Sequence, residues 1–387
     1  MRRSSMRTTG LTGNEIYCLE KMNIHPGDLV VGNSVFALGF VGSIGSGIKT
    51  FLGGEVTPVT DLVREGRTNS YRRLVEEAQK HGGSGLTGVS NDLIRHPGNI
   101  EFLSIGSAVH KDDDANGDFF TTSADGQALY CQLDAGFSPR QFVFGNVAYS
   151  IGFAGGIVAN FRSMKRGEVK EYSDVLNTTR HLALSRIKDE ARAAGANSVV
   201  GIKTTIQPFA SVQEMVMLGT ASNHDCYAAE YKEKPATSSL TNLEMWNLAE
   251  LGYLPVELVF GVSVYSIGFV GGIMSALKNL VKGEINELTS MIYEARNHAI
   301  NQLKTDAAAC GADDIVGVRT YVNDMGSGLL EFMAMGTAVK KFPGVKTKSK
   351  ALPIQAIAQI EDSFVKVNPL SIFLANQLDS PGSLANM

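Results

Sequence analysis

Three copies of one pattern run through the chain, and this internal repeat limits the fold to three versions of a single unit. Phe144-Gly145 returns as Phe260-Gly261, the run Tyr149-Ser150-Ile151-Gly152-Phe153 as Tyr265-Ser266-Ile267-Gly268-Phe269, and Gly167-Glu168 as Gly283-Glu284, always 116 residues later. A weaker first copy keeps register 113 residues before the second through Val31-Gly32, Phe36, Gly39-Phe40, Gly54-Glu55, Gly82, Gly88 and Gly106. Upstream, Tyr17 and Pro26 answer to Tyr130 and Pro139 and to Trp246 and Pro255. The units are therefore drawn at residues 11–110, 124–224 and 240–340, with a tail over 341–387 that reads as a docking arm or a partly disordered end.

Within a unit the order of patterns is helix, strand, long helix, strand, strand. The first helix is clearest between Thr241, a side-chain cap, and Gly252, a stop before Pro255. The strand that follows, residues 258–260 and 262–269, is β-branched and aromatic, broken by Gly261 and Gly268 where a bend or a close backbone approach is expected. Thr60, Ser173 and Thr289 recur at one repeat position and are expected to cap a helix of some twenty residues closed by Gly82, Gly195 and Gly311. Two strands, such as residues 197–205 and 213–221, finish the unit. With 44% hydrophobic and 8% aromatic residues there is apolar material for a core in each of three α+β units, each a small sheet with one long helix against it.

The long helix carries the most informative chemistry. Its apolar stripe runs Leu176, Ala183, Ile187, Ala191 in the second copy and Ile292, Ala299, Leu303, Ala307 in the third, with Val63, Leu74 and Ala78 in the first. Arg67, Arg180 and Arg296 sit inside that stripe, and a buried guanidinium requires a partner. Two glutamates are also triplicated: Glu55, Glu168 and Glu284 before the helix, and Glu101, Glu214 and Glu331 in the last strand. Each arginine is expected to pair with one of these carboxylates, within a unit or across an interface, as a structural lock or as the wall of a small-anion pocket.

Other signals are weaker. Residues 29–48, 142–161 and 258–277 carry no charge and are long enough to span a bilayer, yet their equivalent repeat positions and interrupting glycines suit a buried strand and turn; membrane contact is kept only as the lesser alternative. Residues 42–50 nearly spell a phosphate loop, but Ile48 separates Gly47 from Lys49 and no other copy repeats it. The seven histidines occupy non-equivalent positions, so no catalytic centre is expected; His224 and Cys226, two apart, are the candidates for a soft metal. A net charge of −4, from 35 basic against 39 acidic side chains, gives no field for nucleic acid. Asp112, Asp113, Asp114 and Asp118 read as a solvated linker. Four scattered cysteines, and no apolar stretch after Arg2, Arg3 and Arg7, fit a cytoplasmic protein without an export signal.

The second and third copies resemble the YbjQ family, named for heavy-metal binding. The matching residues are 167–172, Leu176, Arg180, 191–202 (ARAAGANSVVGI) and 219–221, then 293–296, Gly311-Ala312-Asp313, Val316-Gly317-Val318 and 336–339. The likeness covers about four fifths of the chain, and the first copy departs where Gly66 interrupts its helix and Gly82-Gly83-Ser84 replaces Gly-Ala. The resemblance implies a compact α+β unit, self-association into a closed ring, commonly of five units, and, by name, a heavy-metal ion. The expectation is a non-enzymatic, ring- or shell-forming homo-oligomer. The alternatives are a heavy-metal or small-ligand binder and a membrane-associated scaffold.

Overall fold

The computed structural model describes residues 6–37, 54–111, 118–150, 167–209, 212–266, 286–326, 329–353, 356 and 364–366. The phosphate-loop look-alike, the three acidic residues 112–114, Glu284 and most of each uncharged segment lie outside these residues. Unit 1 contains α1 (Gly13–Glu20), β1 (Ile24–Ala37), β2 (Gly54–Glu55), α2 (Thr57–Lys80), β3 (Gly85–His96) and β4 (Asn99–Lys111). Unit 2 contains β5 (Phe120–Thr121), α3 (Gly126–Asp134), β6 (Ser138–Ser150), β7 (Gly167–Glu168), α4 (Lys170–Ala193), β8 (Ser198–Phe209) and β9 (Val212–Asn223). Unit 3 follows with α5 (Glu230–Glu233), β10 (Ala236–Thr237), α6 (Asn242–Glu250), β11 (Tyr253–Ser266), α7 (Asn286–Ala309), β12 (Asp314–Gly326) and β13 (Leu329–Lys341), and β14 (Phe364–Lys366) lies in the tail.

The architecture is α+β, one small sheet and one long helix per unit. The sheets run β1-β4-β3-β5, β10-β8-β9-β6-β2 and β12-β13-β11-β7, so β2, β5, β7 and β10 are each lent to the sheet of a neighbouring unit, while β14 of the tail pairs in parallel with β8. The apparent linker strands β5 and β10 pair in parallel with β3 and β8 of the unit before them. Asp118, read as linker, pairs with Arg140 at 3.0 Å.

Local signals explain the elements. Thr12 and Thr241 close capping boxes with Glu15 and Glu244, and Asp125 caps α3. The long helices end where Gly82, Gly195 and Gly311 take φ of 71°, 69° and 67°. Their starts differ from expectation: α2 and α4 begin three residues before Thr60 and Ser173, at Thr57 and Lys170, and their cap positions, Val56 and Val169, offer no side-chain cap. The hydroxyls are used by the next unit instead. Gly66 does not interrupt α2; it lets the helix lie on the Phe102 ring, which a Cβ would meet at 2.2 Å.

Gly261 does not break β11 either, which runs unbroken through it. Here Gly32, Gly145 and Gly261 permit helix and strand backbones to touch: an added Cβ would stand 2.1, 2.2 and 1.7 Å from the carbonyl oxygens of Ser70, Ala183 and Ala299. The tail docks in part. Ser349 and Lys348 bond Asp134, Thr347 bonds Glu250, and Val345 packs among the first-helix residues Cys131, Trp246 and Ala249.

Candidate functional site

The triplicated side chains converge on the junctions between units. At the first junction Glu55 of β2 pairs in register with Tyr149 of β6, and at the second Glu168 of β7 pairs with Tyr265 of β11. One residue on, Val56 N–H donates to the Ala148 carbonyl at 2.8 Å, and Val169 N–H to Val264 at 2.7 Å. Thr60 Oγ1 then accepts the Ala148 N–H at 2.9 Å, and Ser173 Oγ accepts the Val264 N–H at 2.9 Å. Each unit thus satisfies the outer edge of the next unit's first strand with backbone and one hydroxyl.

Across each junction lies a buried ion pair. Arg67 of α2 donates from Nε and Nη2 to the two oxygens of Glu214 on β9, both at 3.0 Å, and from Nη1 to the Asn91 carbonyl and Oδ1. Its Nε and Nη2 form the two-pronged contact that a carboxylate matches best. Arg180 of α4 bonds Glu331 of β13, with Nη1 on the Leu176 carbonyl and Nε against Met333 Sδ. All four side chains are buried. Burial also raises the pKa of the Tyr149 phenol beside the second pair, with Glu331 adding to the rise and Arg180 opposing it. The carboxylates keep one partner of their own unit: Gln207 donates to Glu214 at 2.7 Å and Asn323 to Glu331 at 3.0 Å.

The glutamates before the helices serve the same junctions. Glu55 pairs with Arg186 of α4 at 2.7 Å, and Glu168 with His298 of α7 at 3.1 Å. The remaining pair of the triplicate set is not brought together. Arg296 is exposed on α7, and Glu101 lies half-buried on β4 at the opposite end of the chain, bonded by His96 at 2.8 Å and Asn33 at 3.4 Å. His96, foremost, holds the Glu101 carboxyl below the usual carboxylate range, so any stability it lends is present at neutral pH and is lost as pH falls through that lowered value. Carbon-13 NMR titration should place Glu101 below an ordinary glutamate, and His96→Ala should move it back up.

His224 and Cys226 lie together, with both ring nitrogens of His224 already bonded within the chain. His224 Nδ1 accepts the Cys226 N–H at 3.2 Å while Nε2 donates to the Ala135 carbonyl at 3.2 Å, a neutral ring with both nitrogens engaged and its pKa lowered by burial. Among the described residues no three or more His, Cys, Asp or Glu side chains gather to hold a metal. No described helix is long and apolar enough to cross a membrane.

The exposed apolar side chains complete the picture. Apart from Met6, the large ones among the described residues are Tyr17, Leu29, Val31 and Val35 on unit 1, and Leu251, Ile292, Tyr293, Val318 and Val322 on unit 3. None is on unit 2. Val35 is 56% exposed, whereas Ala148 and Val264, its equivalents, are 0% exposed under the preceding unit. Val322 is 53% exposed against 3% for its equivalent Ile206, and Tyr17 44% against 9% for Tyr130 and 7% for Trp246.

Comparison with known proteins agrees with this organisation. The sequence profile of the YbjQ_1 family, described as "Putative heavy-metal-binding", matches residues 16–111, 138–224 and 253–341. The Encapsulin nanocompartment protein Rv1762c of Mycobacterium tuberculosis is 30% identical over 214 residues, covering 52% of this chain and 79% of that protein. Single-unit relatives include UPF0145 proteins of Enterococcus faecalis, 41% identical over 88 residues, covering 23% of this chain and 84% of the relative, and of Shewanella frigidimarina, 46% identical over 88 residues, covering 23% and 82%.

Proposed function

We propose, from the premise that this chain belongs to the YbjQ family, that it is a non-enzymatic protein whose work is to assemble with itself into a closed homo-oligomer. The observation that carries this reading is the division of exposed apolar side chains between the two ends of the three-unit array. Single chains rarely leave such faces to water, because apolar area there is worth about 25 cal/mol per Å² once covered. Both faces are at positions that the two internal junctions bury, so the covering surface already exists within the sequence. The name of the Mycobacterium tuberculosis relative, a nanocompartment protein, is in keeping with assembly.

Native mass spectrometry at low micromolar concentration tests the proposal. The expected spectrum is one discrete multiple of the 41.4 kDa chain, unchanged in mass after chelation. A monomer at every concentration would refute it. A mass loss on chelation would instead support the metal binding in the family's description.

A further inference from the structure

Resting on the self-association proposed above, we infer that chains join head to tail, Arg296 of one copy pairing with Glu101 of a second copy as Arg67 pairs with Glu214 and Arg180 with Glu331 inside the chain. Each unit carries a guanidinium at one repeated position of its long helix and a carboxylate at one repeated position of its last strand. Two internal junctions consume two of each and leave Arg296 at the unit 3 end and Glu101 at the unit 1 end. Glu101 already has what Glu214 and Glu331 receive from their own units, since His96 bonds it as Gln207 and Asn323 bond the others. What it lacks, among the described residues, is the arginine.

The apolar surroundings match in the same order. At the second internal junction Leu176, Ile202 and Ile206 pack with Leu258, Phe260, Val262 and Val264 in one cluster. The equivalents of the first group are Ile292, Val318 and Val322, all exposed at the unit 3 end. Those of the second group are Leu29, Val31, Asn33 and Val35, all exposed at the unit 1 end. Only a unit 3 end set against a unit 1 end joins Arg296 to Glu101; two like ends would cover two arginines or two glutamates without the opposite charge, and a covered, unpaired charge is strongly unfavourable. The contact is therefore heterologous, repeating one step of the internal array from chain to chain until the array closes.

Sedimentation velocity on Arg296→Glu, Glu101→Arg and the double variant, at the concentration where wild type is oligomeric, tests this. Arg296 is exposed and Glu101 half-buried, and neither takes part in an internal junction, so each single variant keeps the wild-type circular dichroism. Each single variant should dissociate about 100-fold more readily, and the double variant, with the charges exchanged, should recover the wild-type size. Val31→Asp, which places a charge on the same exposed face four residues from Val35, the cross-strand neighbour of Glu101, should also dissociate. Wild-type size in both single variants would overturn the head-to-tail contact while leaving self-association intact, and failure of the double variant to recover would overturn the ion pair itself. A monomeric wild type would overturn the underlying reading.

Discussion

Arg67→Met lowers the stability of the chain by about 3–5 kcal/mol, because it strands the Glu214 carboxylate in a site where both partners are almost fully buried. Gln207 cannot replace a charge. The expected drop in melting temperature is about 10 °C by calorimetry, read together with circular dichroism to show that the sheets remain. The double variant Arg67→Met with Glu214→Leu separates the cost of a stranded charge from loss of the pair. Two apolar side chains of similar size should restore most of the stability, since a buried ion pair often contributes little over a well-packed apolar replacement. If the single variant melts at the wild-type temperature, the pair does not hold the first junction.

Gly145→Val should do more damage. The Cβ of any residue there would lie 2.2 Å from the Ala183 carbonyl oxygen and 2.7 Å from the Ile187 nitrogen, both backbone atoms of α4 that no rotamer change can move. The helix must lift off β6, which opens the cluster formed by Val143, Val147, Ala183 and Ile187. Overpacking by one or two methylenes costs about 1–3 kcal/mol when side chains can yield, and here the obstacle is backbone, so loss of the folded second unit is expected. Gly13→Ala is the control. Nothing lies within 4 Å of its Cβ, and it should melt within about 0.5 kcal/mol of wild type. Equal melting of the two variants would mean that α4 and β6 are not in backbone contact.

The repeat, the element order within a unit and the glycine stops of the long helices were legible in the sequence because each rests on a local rule: a period, a cap or a φ that glycine adopts. The lent strands were not. Gly54-Glu55 and Gly167-Glu168 are two residues each, too short for any alternation, and they become strands only against Tyr149 and Tyr265 of the next unit. The same non-local pairing explains why Thr60 and Ser173 were read as caps. Their repeated hydroxyl was visible, but its acceptor role toward Ala148 and Val264 belongs to a strand about ninety residues away.

Among the arginines and glutamates, residue type and triplication marked the set, while the choice of mate did not follow. Every unit carries both kinds of carboxylate, so the sequence alone is equally compatible with pairing inside a unit. Only the fold shows that Arg67 reaches past Glu55 and Glu101 of its own unit to Glu214, and that Glu55 goes to Arg186. Asn91, Gln207 and Asn323, which complete these networks, gave no signal: Gln207 and Asn323 share a repeat position but the first copy has Ile94 there, Asn91 has no counterpart amide, and polar side chains in strands are common.

Hydrogen exchange over residues 29–37, followed by mass spectrometry on the assembled protein, tests the central claim most directly. The equivalent backbone at Ala148 and Val264 is sealed by Val56, Thr60, Val169 and Ser173 of the preceding unit. If the unit 1 end is covered by another copy, these amides exchange as slowly in wild-type oligomer as those around Ala148, and quickly in Arg296→Glu. Rapid exchange over residues 29–37 in a wild-type oligomer would show that the end stays open and that the chains associate through some other surface.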